Sequence, residues 1–149
     1  MAEPTFRRAE QGDAPTVAEV GGRIWDEMGV SSGFQQKPTA EEVAAILSRE
    51  NSAVFVCEAE TGICGFSVLQ RDETDPEEAV MGVWLLPEAR RRGIGRELAL
   101  MATDFARSAG YNRLRGIIPR DNEPALSFFS EIASLARVVG QGMEYELPL

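Results

Sequence analysis

The chain has 149 residues, 44% hydrophobic and 26% charged, with 24 acids against 15 bases for a net charge of −9. That length fits a single domain over residues 1–149 with a real core, and the acidic balance argues against a generic nucleic-acid binder, which needs a basic face. No apolar run approaches the roughly 20 residues of a membrane span, and Met1-Ala2-Glu3-Pro4-Thr5-Phe6-Arg7-Arg8 lacks the apolar core of a signal peptide, so a cytoplasmic protein without membrane contact is expected.

Thr5 to Ala9 reads as a short first strand. Asp13 is a helix N-cap with Pro15 just inside, and Val17, Val20, Ile24, Trp25 and Met28 give that helix an apolar stripe that Gly21 and Gly22 weaken or bend. Gly29 to Pro38 is a polar loop, and Thr39-Ala40-Glu41-Glu42 is a capping box opening a second helix. Ala53 to Glu58 and Ile63 to Gln70 are strands around Thr61-Gly62, a hairpin signal. On its arms Cys57 and Cys64, without histidine or CxxC spacing anywhere, read as small core residues, and no metal site is expected. Asp72 to Glu78 holds five acids in seven residues and is most simply a solvated connection.

Ala79 to Leu86 reads as a strand buried on both faces, stopped by Pro87. Ile94, Leu98, Met101, Ala102, Phe105 and Ala109 then mark one face of a helix, with Gly110 as its C-terminal cap. Between them, Gly93 and Gly95 strip side chains from the first helical turn. Its main-chain N–H groups have no intrahelical partner and carry the positive end of the helix dipole, so the turn suits a phosphate or pyrophosphate. Arg90, Arg91, Arg92 and Arg96 add permanent charge. The lysine and Ser/Thr of a P-loop and the full GxGxxG fingerprint are both missing. Further on, Arg113 to Ile118 is a strand, Asn122 caps a helix through Leu126, Phe128, Phe129 and Ile132, and Arg137 to Val139 and Met143 to Leu147 are final strands about Gly140 and Gly142. The fold class is α/β, with a mixed central sheet of six or seven strands flanked by helices.

Leu85, Pro87, Arg90, Gly93 and Gly95 resemble the acyl-CoA-binding motif of the GNAT N-acetyltransferase superfamily, Val-x-Pro followed by Gln/Arg-x-x-Gly-x-Gly/Ala, and the order of elements is similar along nearly the whole chain. The resemblance implies acetyl transfer from acetyl-CoA to a primary amine by direct attack. It puts the CoA pyrophosphate on Arg91, Arg92, Gly93, Ile94, Gly95 and Arg96. A bulged strand would splay from its neighbour, and the main chain near Val83, Trp84 and Leu85 would meet the pantetheine arm, with the Leu85 N–H on the thioester oxygen. Asn122 and Ala125 match the family's Asn-x-x-Ala, where the asparagine contacts the cofactor arm; helix capping is an equally good reading of Asn122. A homodimer is compatible with the resemblance.

Phe129 stands where the family commonly has a tyrosine that protonates the leaving thiolate, and Ala133-Ser134 replaces the usual Gly-Phe. Ser127, Ser130, Tyr145 or water are the substitutes at hand. Candidate general bases are Asp26, Glu27 and Glu144. The departure at Phe129 motivates a rival reading, a non-catalytic acyl-CoA-sensing or interaction module; a turn for another nucleotide is a third.

Overall fold

The computed structural model describes residues 3–119, 122–132, 134–139 and 142–149. Expectations at Gly140 and Ala133 lie outside them. Among the described residues seven strands form one mixed sheet in the order β1-β2-β3-β4-β5-β7-β6: β1 Thr5–Arg8, β2 Ala53–Ala59, β3 Gly62–Arg71, β4 Glu78–Leu85, β5 Arg113–Pro119, β6 Ser134–Val139 and β7 Gly142–Pro148. The helices are α1 Ala14–Met28, α2 Ala40–Ser48, α3 Ile94–Ala109 and α4 Glu123–Ile132. Only β4 and β5 run parallel, because α3 carries the chain back across the sheet between them. No described helix is long and apolar enough to cross a membrane.

Strand alternation assigns the two faces. Phe66, Val68, Gln70, Val80, Gly82, Trp84, Arg115, Ile117 and Glu144 share one face through their in-register pairs. The helix α1 covers part of it, where Gly21 lies so close to Pro38 that a Cβ would stand 2.7 Å from its Cγ. That close approach is why a glycine sits in this helix, which runs through Gly21 and Gly22 unbroken. The other face carries Ser67, Met81, Val83, Gly116 and Tyr145. Here Ser67 donates to the Leu98 carbonyl of α3 at 3.0 Å, and Phe129 of α4 stacks on Tyr145 with ring centroids 4.3 Å apart.

Three local expectations change. Asp13 precedes α1, but its carboxylate makes no capping bond to the helix; it takes the guanidinium of Arg7 and the Glu10 N–H instead. The acidic stretch is not simply solvated, since Asp72 is buried against Arg115 and Glu78 opens β4 beside Arg113 and Arg115. The strand β4 is not buried on both faces, because Val80 is 36% exposed on the α1 side. The hairpin, the Thr39 bond to the Glu42 N–H and the Gly110 cap at φ 94° are found as expected.

Candidate active site

The sheet opens between β4 and β5. They pair only at Glu78↔Arg113, Ala79↔Leu114 and Val80↔Arg115, and beyond Val80 they part. The implied bulge is not the cause: β3 and β4 pair in unbroken register from Gly65↔Leu85 to Arg71↔Ala79. A wedge stands there instead. Tyr145 of β7 lies across β5 at Gly116, where a Cβ would come 2.5 Å from its ring, and its hydroxyl donates to the Met81 carbonyl of β4. The main-chain acceptor that β5 would have bonded is thereby taken.

A cavity of about 480 Å³ runs through this opening. On the α3 side it meets Met81, Val83, Gly116, Ile118, Phe129 and Tyr145, and on the α1 side Val68, Val80, Arg115, Ile117 and Glu144. Main-chain direction alternates along β4. In an antiparallel ladder a residue's N–H and C=O point the same way, and the carbonyls of Met81 and Leu85 both face away from β3, toward Tyr145 and Arg90. The N–H groups of Met81, Val83 and Leu85 therefore face the gap, whereas Trp84 directs its main chain at Phe66 in β3. Val83 lines the cavity and Leu85 does not.

The Trp84 side chain also has a place. Its indole is stacked between Phe34 and Phe66, at 4.7 and 5.3 Å, and donates to the Ser32 carbonyl at 2.7 Å. Asn122 accepts from the Ala125 N–H at 3.2 Å as a helix cap and donates to the Ser31 carbonyl at 2.8 Å. The 3₁₀ turn Gly29–Ser32 is thus tied to β4 on one side of the gap and to α4 on the other.

Beside Val83 and Leu85, at the end of β4, lies the glycine turn. Gly93 has φ 78° and Arg91 φ 64°, left-handed geometry that costs an L side chain about 1–2 kcal/mol. The first intrahelical bond is Glu97 N–H to Gly93 O at 3.2 Å, which leaves the N–H groups of Ile94, Gly95 and Arg96 without intrahelical carbonyls. Gly95 is buried, and a Cβ there would stand 3.4 Å from Leu85. Arg91, Arg92 and Arg96 are exposed around the turn. Arg90 is engaged elsewhere: it grips the Glu27 carboxylate in two bonds of 2.7 and 2.8 Å and the Leu85 carbonyl at 3.0 Å. It clamps the turn to α1.

The candidate acids and bases separate by position. Arg90 holds the Glu27 carboxyl below its usual range, which makes it a poor base. Asp26 is ion-paired with Lys37 on the surface. Glu144 is buried on the cavity wall, opposite Arg137 in the β6 register. Phe129 has no proton to give, and burial pushes the Tyr145 phenol up while its proton is engaged at Met81. Ser130 donates to the Ser127 carbonyl at 2.8 Å in an exposed part of α4. Cys57 and Cys64 are buried away from the cavity, and burial raises the Cys57 thiol well above its ordinary value.

Sequence reasoning did not single out Met81, Gly82, Gly116 or Ile117. Glycines inside strands mark close approach of another group, and that signal was present at both: Gly82 lies under the Trp84 indole and Gly116 under Tyr145.

Known proteins supply the class. Residues 21–133 match the acetyltransferase (GNAT) family. An uncharacterized N-acetyltransferase of Escherichia coli, YjgM, is 31% identical over 116 residues, covering 74% of this chain and 69% of that protein. The PaiA N-acetyltransferase of Thermoplasma acidophilum, solved with coenzyme A, superposes with a TM-score of 0.83 at 19% identity over 99% of this chain and 100% of its own. A putative acetyltransferase of Salmonella typhimurium, yncA, solved with acetyl-CoA, does so with a TM-score of 0.80 at 14% identity, over 99% and 94%. The chain belongs to the GNAT acetyltransferase family and is an acyltransferase.

Proposed function

We propose that the protein transfers the acetyl group of acetyl-CoA to a primary amine by direct attack, in the cavity between β4 and β5. The observation that carries this reading is the opening beyond Val80↔Arg115, with the glycine turn and its unbonded helix N–H groups packed beside Val83 of the cavity wall. The N–H groups of Ile94, Gly95 and Arg96, with the side chains of Arg91, Arg92 and Arg96, suit the pyrophosphate. The gap edge of β4 suits the pantetheine amides, and Asn122 and Phe129 border the arm. Val83, rather than Leu85, is the better donor to the thioester oxygen, because it lines the cavity.

The neutral amine nitrogen attacks the thioester carbon; a C–N bond forms, the C–S bond breaks, and the CoA thiolate leaves. The amine proton passes to Glu144, directly or through water. A thiol pKa of roughly 8.5 lets the thiolate leave without a protein acid. Tyr145, with its raised pKa, would have to protonate it uphill, so it positions rather than protonates. Neither cysteine is placed to be an acyl carrier, so the kinetics are sequential rather than ping-pong. We place the chain in the cytoplasm, where both cysteines stay reduced, with no nucleic-acid partner; light scattering tests for a homodimer.

The first experiment is thermal stabilisation by acetyl-CoA, free CoA and ATP, alongside Arg92→Glu. Stabilisation by both CoA forms and not by ATP, weakened in the variant, supports the site. Thiol release with an amine then separates the enzyme from a silent acyl-CoA sensor, the reading that Phe129 favours. No stabilisation by CoA overturns both.

A further inference from the structure

The α1 side of the cavity limits which amine can enter, and this inference rests on the N-acetyltransferase reading above. Two of the large apolar side chains left exposed, Val80 at 36% and Ile117 at 56%, line the same wall on adjacent strands β4 and β5. Val68 continues this floor on β3, and the Trp84 ring closes it over Gly82. An apolar strip this exposed inside a cavity is surface that a ligand gains by covering.

Charge on the same wall is sparse. Arg115 is the only basic side chain that lines the cavity among the described residues, and its guanidinium is held by the buried Asp72 and by Glu78, 3.4 Å away. Arg113, beside them, is shared between Glu78 and Glu146 at 3.2 and 3.5 Å. Among the described residues no lining cation is left unpaired to receive a substrate carboxylate, and Glu144 is the one lining carboxyl. A carboxylate brought here loses its water with no unpaired counter-charge among the described residues.

We propose that the acceptor is a primary amine carried on an uncharged, apolar body, an arylalkyl or branched alkyl amine, whose body lies over Val80 and Ile117. Amino acids, which carry a carboxylate beside the amine, are rejected.

The test uses the full chain with saturating acetyl-CoA and matched acceptors that differ by one carboxylate: 2-phenylethylamine against phenylalanine and 3-methylbutylamine against leucine, with spermidine and a lysine peptide as charged bodies. Thiol release and product mass are read together. We expect kcat/KM to favour each carboxylate-free member by about 100-fold or more, and Ile117→Glu, at an exposed position, to lower kcat/KM for both amines at least tenfold while leaving the KM for acetyl-CoA unchanged. Equal or faster turnover of the amino acids, of spermidine or of the peptide overturns the acceptor class and leaves the N-acetyltransferase reading standing. Full activity of Ile117→Glu overturns the placement over Ile117. Binding of CoA without acetyl transfer to any of these amines overturns the acceptor class; if a wider screen of amines is also silent, the N-acetyltransferase reading falls with it.

Discussion

The Tyr145 hydroxyl donates to the main-chain carbonyl of Met81, reaching from β7 over Gly116 of β5 to β4. One side chain thus satisfies a carbonyl at the point where two parallel strands separate, and keeps them apart. Tyr145→Phe preserves the stack on Phe129 and leaves Met81 O buried without its partner, a loss of about 1–3 kcal/mol. For a chain of this size that corresponds to a fall in Tm of about 3–10 °C. The KM for acetyl-CoA should rise more than that for the amine, while kcat stays within about tenfold. A loss of kcat of about 10²–10⁴-fold, with the alkaline limb of the pH profile displaced, would instead make Tyr145 the proton donor.

The acids at positions 27 and 144 should part company in the same assay. Glu27→Gln removes one half of the clamp on Arg90 and Leu85. It should weaken acetyl-CoA binding by severalfold through the loosened turn and leave the pH dependence of kcat alone. Glu144→Gln keeps the shape of the cavity wall and removes a proton acceptor. Its kcat/KM should drop by about 10²-fold or more. An unaltered kcat/KM in Glu144→Gln would assign the proton to water alone.

Strand, turn and helix around Gly93 are legible in the sequence because each is fixed by neighbours: Pro87 stops a ladder, two glycines open a helix end, and Gly110 takes the left-handed cap. What the chain does not reveal locally are partners on other elements of the fold. Arg90 reads as an anion ligand from its motif, but Glu27, 63 residues away, takes its charge. Asp72 reads as a solvated acid among acids, but Arg115 folds over it. Asp13 reads as a cap, and Arg7 claims it. In each case a charged group chosen by local pattern was bound by tertiary pairing instead. The mode of strand separation is hidden for the same reason: it depends on Tyr145 reaching across an intervening strand, and only the strand-interior Gly116 hints at it.

Two glycines of the turn should fail in different ways. Gly93 has open space around it but φ 78°, so Gly93→Ala pays only the left-handed cost of about 1–2 kcal/mol. Gly95 lies inside α3, and a side chain there meets Leu85, Phe128 and Val83. Gly95→Val should cost about 1–3 kcal/mol by overpacking and also displace the β4 edge and the helix N–H groups. Calorimetric titration with CoA should show a modest rise in Kd for the first and loss of binding for the second. Equal effects would mean that the turn's shape, and not its packing against β4, sets the affinity.

Asp13 gives the fold a measurable dependence on acid. The Arg7 guanidinium first, and the Glu10 N–H second, lower its carboxyl from 3.8 to about 2. A group whose folded pKa is depressed contributes its stability in full above the unfolded value and loses it as pH falls through the folded one. With its carboxyl largely covered, at 17% exposure, and allowing for solvent screening, the pair contributes about 1–2 kcal/mol near neutrality. Asp13→Asn should therefore be less stable than the wild type by that amount in urea titrations at pH 6, and the gap should close between about pH 4 and pH 2 as the wild-type carboxyl takes up its proton. A difference that persisted unchanged to pH 2 would show that the loss comes from the side chain's packing at the β1–α1 corner and not from its charge.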